Sequence, residues 1–513
     1  MKKFVHAFVL LCFFSGITFA QPTNDSIIRF SNLKYHSAFE KEAVKSFLKD
    51  STDSFPIFLA IDENITARQV EKNQQIYLSI FSELEQKKIA KKKPHKQIKL
   101  IYSTVHNRFL KKYKDNQYFP SIFETGNYNC VSASMLYAMI FDSLDIPYKV
   151  NASANHVYLV ANPGPNSMVI ETTNPGFEKA IFTGAFKQQY VSCLRTSKLI
   201  SDEEYKDKST EEIFEEKFKE VKIAKFRNFP GFQYYNKALS KLQENDIENA
   251  LVLAQKAYFF YPDNQVKTLL FNALLFQIEK CDFDKINDID YLGQYSRFEN
   301  SDWNAVAIVF NNVVSHHLKY ANKEDYCDSI FLRLKSQITD NKTIEEIEFS
   351  YNMQMSYHYI NSPKVEKYIS RAMETKGNFN DAILIMQSLL NQKLYAINDP
   401  HHLLDSVKEF KIKYPYEMIQ STFVEHESLA YIKIARDLFD QKKATAGEKY
   451  LLEFENICII PVKNQLLSDI IESTYRTASK HYYYKGNKTK AQDYNERGMK
   501  FIPRSTLLGS PIY

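Results

Sequence analysis

Cys130, His156 and Glu171 bring together the residue types that thiol chemistry on amides requires. That chemistry needs a thiolate, an imidazole to hold and move its proton, and a carboxylate or amide to orient the imidazole. Cys130 stands directly before an apolar stretch, behind the polar turn Gly126-Asn127-Tyr128-Asn129. A cysteine at a helix N-terminus is acidified by the unpaired backbone donors and the helix dipole. Five cysteines lie beyond the first twenty residues (Cys130, Cys193, Cys281, Cys327 and Cys458), too scattered for a zinc site or a disulfide framework. An odd number leaves at least one thiol unpaired. Catalysis is one reason for such a thiol, and simple burial is another.

The elements that must position these groups are legible locally. Residues 131–144 read as a compact helix, with small Ala133 and Ala138 and with Met135, Leu136, Met139 and Ile140 for packing. Asp145-Ile146-Pro147 ends it. Three strand-like segments follow at 148–152, 156–160 and 168–173, separated by Asn162-Pro163-Gly164-Pro165-Asn166 and closed by Asn174-Pro175-Gly176. His156 opens the second strand. Glu171, flanked by Ile170 and Thr172, is expected on the third, facing the same edge as His156. Asn174 is a second possible orienting group, although its Asn-Pro-Gly turn favours a structural role. A helix feeding three strands is an α+β unit.

The string Gly126-Asn127-Tyr128-Asn129-Cys130-Val131-Ser132-Ala133, followed by Leu136-Tyr137-Ala138, Asp145-Ile146-Pro147, Asn155-His156-Val157-Tyr158 and Val169-Ile170-Glu171-Thr172-Thr173, resembles the transglutaminase-like superfamily. The resemblance covers about fifty residues. It implies a papain-like fold and acyl transfer through a thioester, with Cys130 as nucleophile, His156 as general base and acid, and Glu171 as orienting acid. Three features depart from the family pattern. Glutamate replaces the usual aspartate, Asp145 replaces the usual turn glycine, and no tryptophan lies near the site. The oxyanion donors are then expected to be the Cys130 backbone amide with Asn127 or Asn129.

The flanks set the frame. Lys2 and Lys3, an apolar run to Phe14 and a small-residue end at Ala20 read as a cleaved export signal over 1–20, which places the protein in the periplasm or outside the cell. No later segment has the ~18 apolar residues of a membrane helix. Residues 21–115 read as a helical extension. Its Lys87, Lys88, Lys91, Lys92, Lys93, Lys96 and Lys99 could meet acidic surfaces, but without interleaved aromatics they read first as a solvated linker. After a charged connector at 201–230, Tyr234, Ala250 and Pro262 recur as Tyr475, Ala491 and Pro503 at equal offsets. Weaker units surround Gly377 and Gly447. This resembles the tetratricopeptide repeat, in which small residues let paired helices approach closely. Trp303, in the poorly matching part, is read as core.

The expected architecture is therefore an α+β papain-like, transglutaminase-like core at 116–200 behind a helical N-terminal region. An all-α tetratricopeptide-like solenoid follows at 231–513. The pairs His316-His317 and His401-His402 point about 100° apart on a helix, and no HExxH, phosphate-loop or dinucleotide signature occurs, so neither metal nor cofactor is called for. A net charge of +5 over 513 residues selects no partner, and the repeat tyrosines and phenylalanines lie at core spacing, not as a nucleic-acid platform. The expected function is an exported thiol enzyme that hydrolyses or transamidates a protein or peptide substrate, with the repeats binding a protein partner. The alternative is a catalytically inactive domain of the same kind acting as an interaction module.

Overall fold

A computed structural model describes residues 27–28, 30–153, 156–165, 167–172, 188, 191, 200–218, 222–298, 301–460 and 462–510. The expected export signal, Asn174 and Cys193 lie outside them. The chain divides into two compact units. The first runs from the N-terminus to Asp282 and takes in Arg297–Asn300. The second comprises Phe283–Ser296 and Ser301–Tyr513.

Unit 1 begins with α1 (Ala38–Lys49), α2 (Phe55–Leu59), α3 (Ala67–Gln86) and α4 (Pro94–Phe109). A two-residue strand β1 (Lys112–Tyr113), the short helix α5 (Phe119–Glu124) and the strand β2 (Asn127–Tyr128) lead into α6 (Cys130–Ser143). The residues from Cys130 to Phe141 are all buried. A helix that is apolar all round must be covered on every side, and here the cover comes from distant parts of the sequence. Tyr137 stacks on Tyr102 of α4 at 5.8 Å between ring centres. On another side, Ser134 Oγ donates to the Val157 carbonyl at 3.1 Å, pinning α6 to a strand.

That strand is β4 (His156–Ala161), which lies between β3 (Tyr148–Ser153) and β5 (Met168–Ile170). After α7 (Asp202–Asp207) and α8 (Thr210–Phe218), β6 (Lys222–Ala224) completes an antiparallel sheet of order β5-β4-β3-β6. Burial alternates along β4, with Val157, Leu159 and Ala161 buried, as expected for a strand with one face on a core. Asp145 adopts the left-handed φ of +53° at the end of α6 and turns the chain into β3.

α9 (Phe229–Gln243) and α10 (Ile247–Phe260) form a close pair, with Ala238, Ala250, Ala254 and Ala257 fully buried. The turn between them places Asn245 at φ +61° and caps α10 with Asp246. This pair and α11 (Asn264–Lys280) belong to unit 1, which therefore extends past the connector expected at 201–230. A fully buried ion pair ties them to the N-terminus: Lys256 donates to Glu40 at 2.6 Å, and the Tyr234 hydroxyl reaches the same carboxylate oxygen at 2.8 Å.

The structure is 71% helical, and among the described residues six strands make only a two-stranded pair and a small four-stranded sheet. This corrects the expected α+β papain-like, transglutaminase-like domain. Only β3 and β4 exceed three residues, so strand makes up a minor share of the unit. The body around Cys130 is built mainly from helices drawn from both sides of the 116–200 segment, and a fifty-residue window does not reveal them.

Described by itself, unit 2 is helical throughout. It runs from α12 (Asp290–Tyr295) and α13 (Trp303–Ala321) through α14 (Glu324–Lys335), α15 (Asn341–His358) and α16 (Val365–Thr375). It continues with α17 (Asn380–Tyr395), α18 (Pro400–Lys413), α19 (Gln420–Asp440), α20 (Ala444–Ile457), α21 (Gln465–Tyr484), α22 (Lys488–Phe501) and α23 (Thr506–Gly509). Gly498 shows why small residues matter at such crossings, since a Cβ there would lie 2.8 Å from the Tyr475 ring. Trp303 is half-exposed in the first turn of α13 and not core as expected, because it sits where the helix face has only begun to be covered. Among the described residues no helix is long and apolar enough to cross a membrane.

Candidate active site

The sequence places Cys130 at the first position of α6 through its cap. Asn129 accepts from the Ser132 amide at 2.8 Å, and the Ser132 hydroxyl accepts from the Asn129 amide at 3.0 Å. A reciprocal cap of this kind fixes the first turn and leaves the earliest backbone N–H groups without intrahelical acceptors. The Asn129 amide group also donates to the Asp115 carbonyl at 3.0 Å. Both ends of Asn129 are therefore engaged in shaping the turn, so its role is structural and not that of an oxyanion donor. Asn127 lies half-buried on β2, opposite Lys112, and its side chain makes no hydrogen bond to a described residue.

The sheet register brings the base and the acid together. Leu159 pairs with Ile170 across β4 and β5. The next residue, Glu171, follows the last residue of β5 and comes opposite Tyr158, one diagonal step from His156. The result is a hydrogen bond of 2.9 Å between His156 Nε2 and Glu171 Oε2. Tyr102 donates to the Glu171 carbonyl at 3.2 Å, and Tyr158 lies against the His156 ring at 5.6 Å, so both partners are held. Nδ1 is the ring nitrogen left for Cys130, whose thiol hydrogen-bonds the imidazole.

The electrostatics of the pair follow from these contacts. Burial alone would raise the Cys130 thiol, which is 7% exposed. The hydrogen bond and charge of His156, with the backbone N–H of Val157, outweigh that penalty and hold the thiol below its ordinary value. Burial would likewise depress His156, yet its hydrogen bonds to Cys130 and Glu171 and their negative charges push it up to about 10. Each group thus favours the charged form of the other, a lowered thiol beside a raised imidazole, with Glu171 behind the ring. Such a site can attack a carbonyl carbon and return a proton to the departing amine.

One residue at the sulfur was not singled out in the sequence. The Tyr113 hydroxyl hydrogen-bonds Cys130 and also Asp115, and burial with these two negative neighbours holds the phenol well above its usual range. Its ring packs edge-on against Tyr128 at 5.6 Å through the parallel pairing of β1 with β2. Gly126 makes that pairing possible. Its carbonyl accepts from the Lys111 and Lys112 amides, its φ is +76°, and a Cβ there would lie 2.7 Å from the Lys111 side chain. The signal for Tyr113 was thin, a tyrosine beside lysines ahead of the glycine turn. A separate cleft of about 520 Å³ opens by Asp145, Tyr148, Lys149 and Phe226 and includes none of the triad.

His316, His317, His401 and His402 take no part in the site; His317 Nε2 bonds the Phe283 carbonyl at 3.0 Å. Of the other described thiols, Cys281, Cys327 and Cys458, none lies in a comparable constellation. No protein-family model matches the chain, and no curated protein matches it.

Proposed function

We propose that the chain is an exported thiol-dependent acyl-transfer enzyme whose site works on the principle of the transglutaminase-like superfamily. The observation that carries this reading is the pairing of Cys130 with His156, which lowers the thiol and raises the imidazole, backed by Glu171 at 2.9 Å. Cys130 Sγ attacks the amide carbonyl of a peptide or glutamine side chain, and His156 gives its proton to the leaving amine. A thioester remains on Cys130. Water or a second amine, deprotonated by His156, then attacks the thioester and restores the thiolate. Glu171 holds the ring in position and stabilises its charged form. The Cys130 backbone N–H, at the first helical position, supplies a donor for the developing oxyanion. The helical repeats would bind the protein substrate or a partner.

The burial of Cys130 favours a second reading, in which the site is inert and the chain serves as an interaction module. Reaction with iodoacetamide at acidic pH separates the two. Modification of Cys130 far faster than that of free cysteine, together with amine incorporation or cleavage that is lost in Cys130→Ala, supports the enzyme. Alkylation at the rate of an ordinary thiol ends the catalytic proposal.

A further inference from the structure

The 29 residues between Glu85 and Asp115 hold ten lysines and Arg108 and not one carboxylate. The rest of the chain is therefore net acidic, since the whole carries only +5. This segment is no loose linker. It forms a helical turn at Ile89–Lys91, then α4, then β1, and Tyr113 of β1 touches the Cys130 sulfur.

The apolar side of α4 (Ile98, Ile101, Tyr102, Val105 and Phe109) is buried within unit 1. Its solvent side carries Lys96, Lys99, Ser103 and Asn107, and Lys91 and Lys93 before the helix and Lys112 and Lys114 after it are exposed as well. Among the described residues no ion pair or hydrogen bond engages the side chains of Lys91, Lys93, Lys96, Lys99, Lys112 or Lys114. Glu83, just ahead of the segment, is taken by Lys87 and Arg108, and Asp115, just after it, accepts from the Tyr113 hydroxyl. At 1.5 Å per residue, the 16 residues of α4 make this strip about 24 Å long. That is several times the ~8 Å screening length at physiological salt, so separate lysines meet separate charges along an extended ligand.

Resting on the proposed acyl-transfer reading, we propose that the substrate is an acidic polypeptide segment that lies along the exposed face of α4 and is led by Lys112 and Lys114 to Cys130. Charge complementarity selects the ligand class, and the position of Tyr113 between Lys112 and Lys114 fixes the direction. A nucleic acid fits less well, because Tyr113, the tyrosine among these lysines, is half-buried and packed edge-on against Tyr128, where it offers no open face to a base. A membrane fits less well too. The apolar face of α4 is already buried, so a bilayer could be met only through its headgroups.

The test uses the full chain carrying Cys130→Ala, so that binding is read without chemistry. The probes are a fluorescein-labelled peptide of glutamate and glycine around one glutamine, and its counterpart with lysine for glutamate. Fluorescence anisotropy is expected to show binding of the acidic peptide alone, weakening about tenfold or more as salt rises from ~0.05 to ~0.3 M. Replacing Lys96, Lys99, Lys112 and Lys114 together by glutamine is expected to weaken it about tenfold as well. Should that variant misfold, Lys112→Gln with Lys114→Gln reports the same loss in smaller measure. Equal binding of the two peptides, or unchanged affinity in the lysine variants, overturns the proposal. So does lysine-dependent pelleting with phosphatidylserine vesicles when the acidic peptide fails to bind. An inert Cys130 in the unsubstituted chain would remove the acyl-transfer reading and leave these binding results standing, so the two failures are distinguishable.

Discussion

Each unit buries a cysteine and a histidine, and the two units drive them in opposite directions. In unit 1 the Cys130 thiol falls below its ordinary value, while His156 rises to about 10. In unit 2 burial, with the negative charges of Asp328 and Glu324, pushes the Cys327 thiol up to about 12. Burial likewise takes His426 down to about 4, its Nε2 meeting only the neutral side-chain oxygen of Asn391 at 2.8 Å. Loss of water disfavours the charged form in all four cases. What differs is the partner. Cys130 and His156 are each other's counter-charge, with Glu171 and Tyr113 behind them, whereas Cys327 meets carboxylates and His426 meets an amide. Burial keeps a side chain neutral unless a second group of complementary charge is buried with it.

The largest effect should come from removing that partner. In His156→Ala the Cys130 thiol keeps its burial and loses its counter-ion, so its pKa should rise past that of an ordinary thiol. Iodoacetamide modification of Cys130 at pH 6 is then expected to slow by about a hundred- to a thousandfold, towards the inertness expected of Cys327. A change of only a few-fold would break the comparison.

The opposite pole is tested by acid. His426 is buried and its folded pKa lies below its unfolded value of about 6.5, so the unfolded chain takes up the proton first. Its contribution to stability is complete above that value and is lost as pH falls through the window from about 6.5 to about 4. Between pH 8 and pH 5 the loss should be about 2 kcal/mol, read as weaker hydrogen-exchange protection of α19. In His426→Gln, which can still donate to Asn391, the pH dependence of that helix should flatten. An unchanged slope would show that other groups govern it.

Tyr113 sharpens the unit 1 side. Its hydroxyl stabilises the thiolate and has no counterpart in the surroundings of Cys327. Removing one charge-assisted hydrogen bond in Tyr113→Phe should raise the Cys130 pKa. The acid limb of the alkylation profile should move to higher pH, with His156 left in place. A profile that does not move would make Tyr113 a packing residue only.

How far the site could be read in advance follows from where its signals lie. Cys130, His156 and Glu171 are each placed by something local: a helix start, an alternating strand and the residue after its neighbour. Each fits within a short window. The same window misled at Asn129. An asparagine with a serine three residues on is a helix-capping pattern, and capping uses the very atoms an oxyanion donor would need. Tyr113 was missed because it reaches Cys130 only through the pairing of two-residue strands around Gly126, which leaves no periodic trace. The fold class failed for a related reason. Helix, turn and three strands were seen correctly as pieces, but the cover of α6 comes from Tyr102 before it and from α9 after it. The Glu40–Lys256 pair, 216 residues apart, was equally invisible.

The smallest effect should come from Glu171→Gln, and it separates two roles that the other variants mix. The carboxylate raises His156 by hydrogen bond and charge, so removing it should lower the imidazolium pKa. The same carboxylate also raises the Cys130 thiol through its negative charge, so removing it favours the thiolate directly. At the thiol these effects oppose each other, because a less basic His156 is a weaker counter-ion. Glutamine keeps the hydrogen bond to the ring, and Glu171 is 26% exposed, which screens part of its charge. The basic limb, set by His156, should therefore fall by about one unit from its starting point near 10, while the acid limb set by Cys130 moves by less. A titration of the His156 ring resonance alongside the alkylation profile reads the two limbs separately. If both limbs shift equally and in the same direction, Glu171 acts on the pair as a plain nearby charge, and the ordered chain from acid to base to nucleophile is wrong.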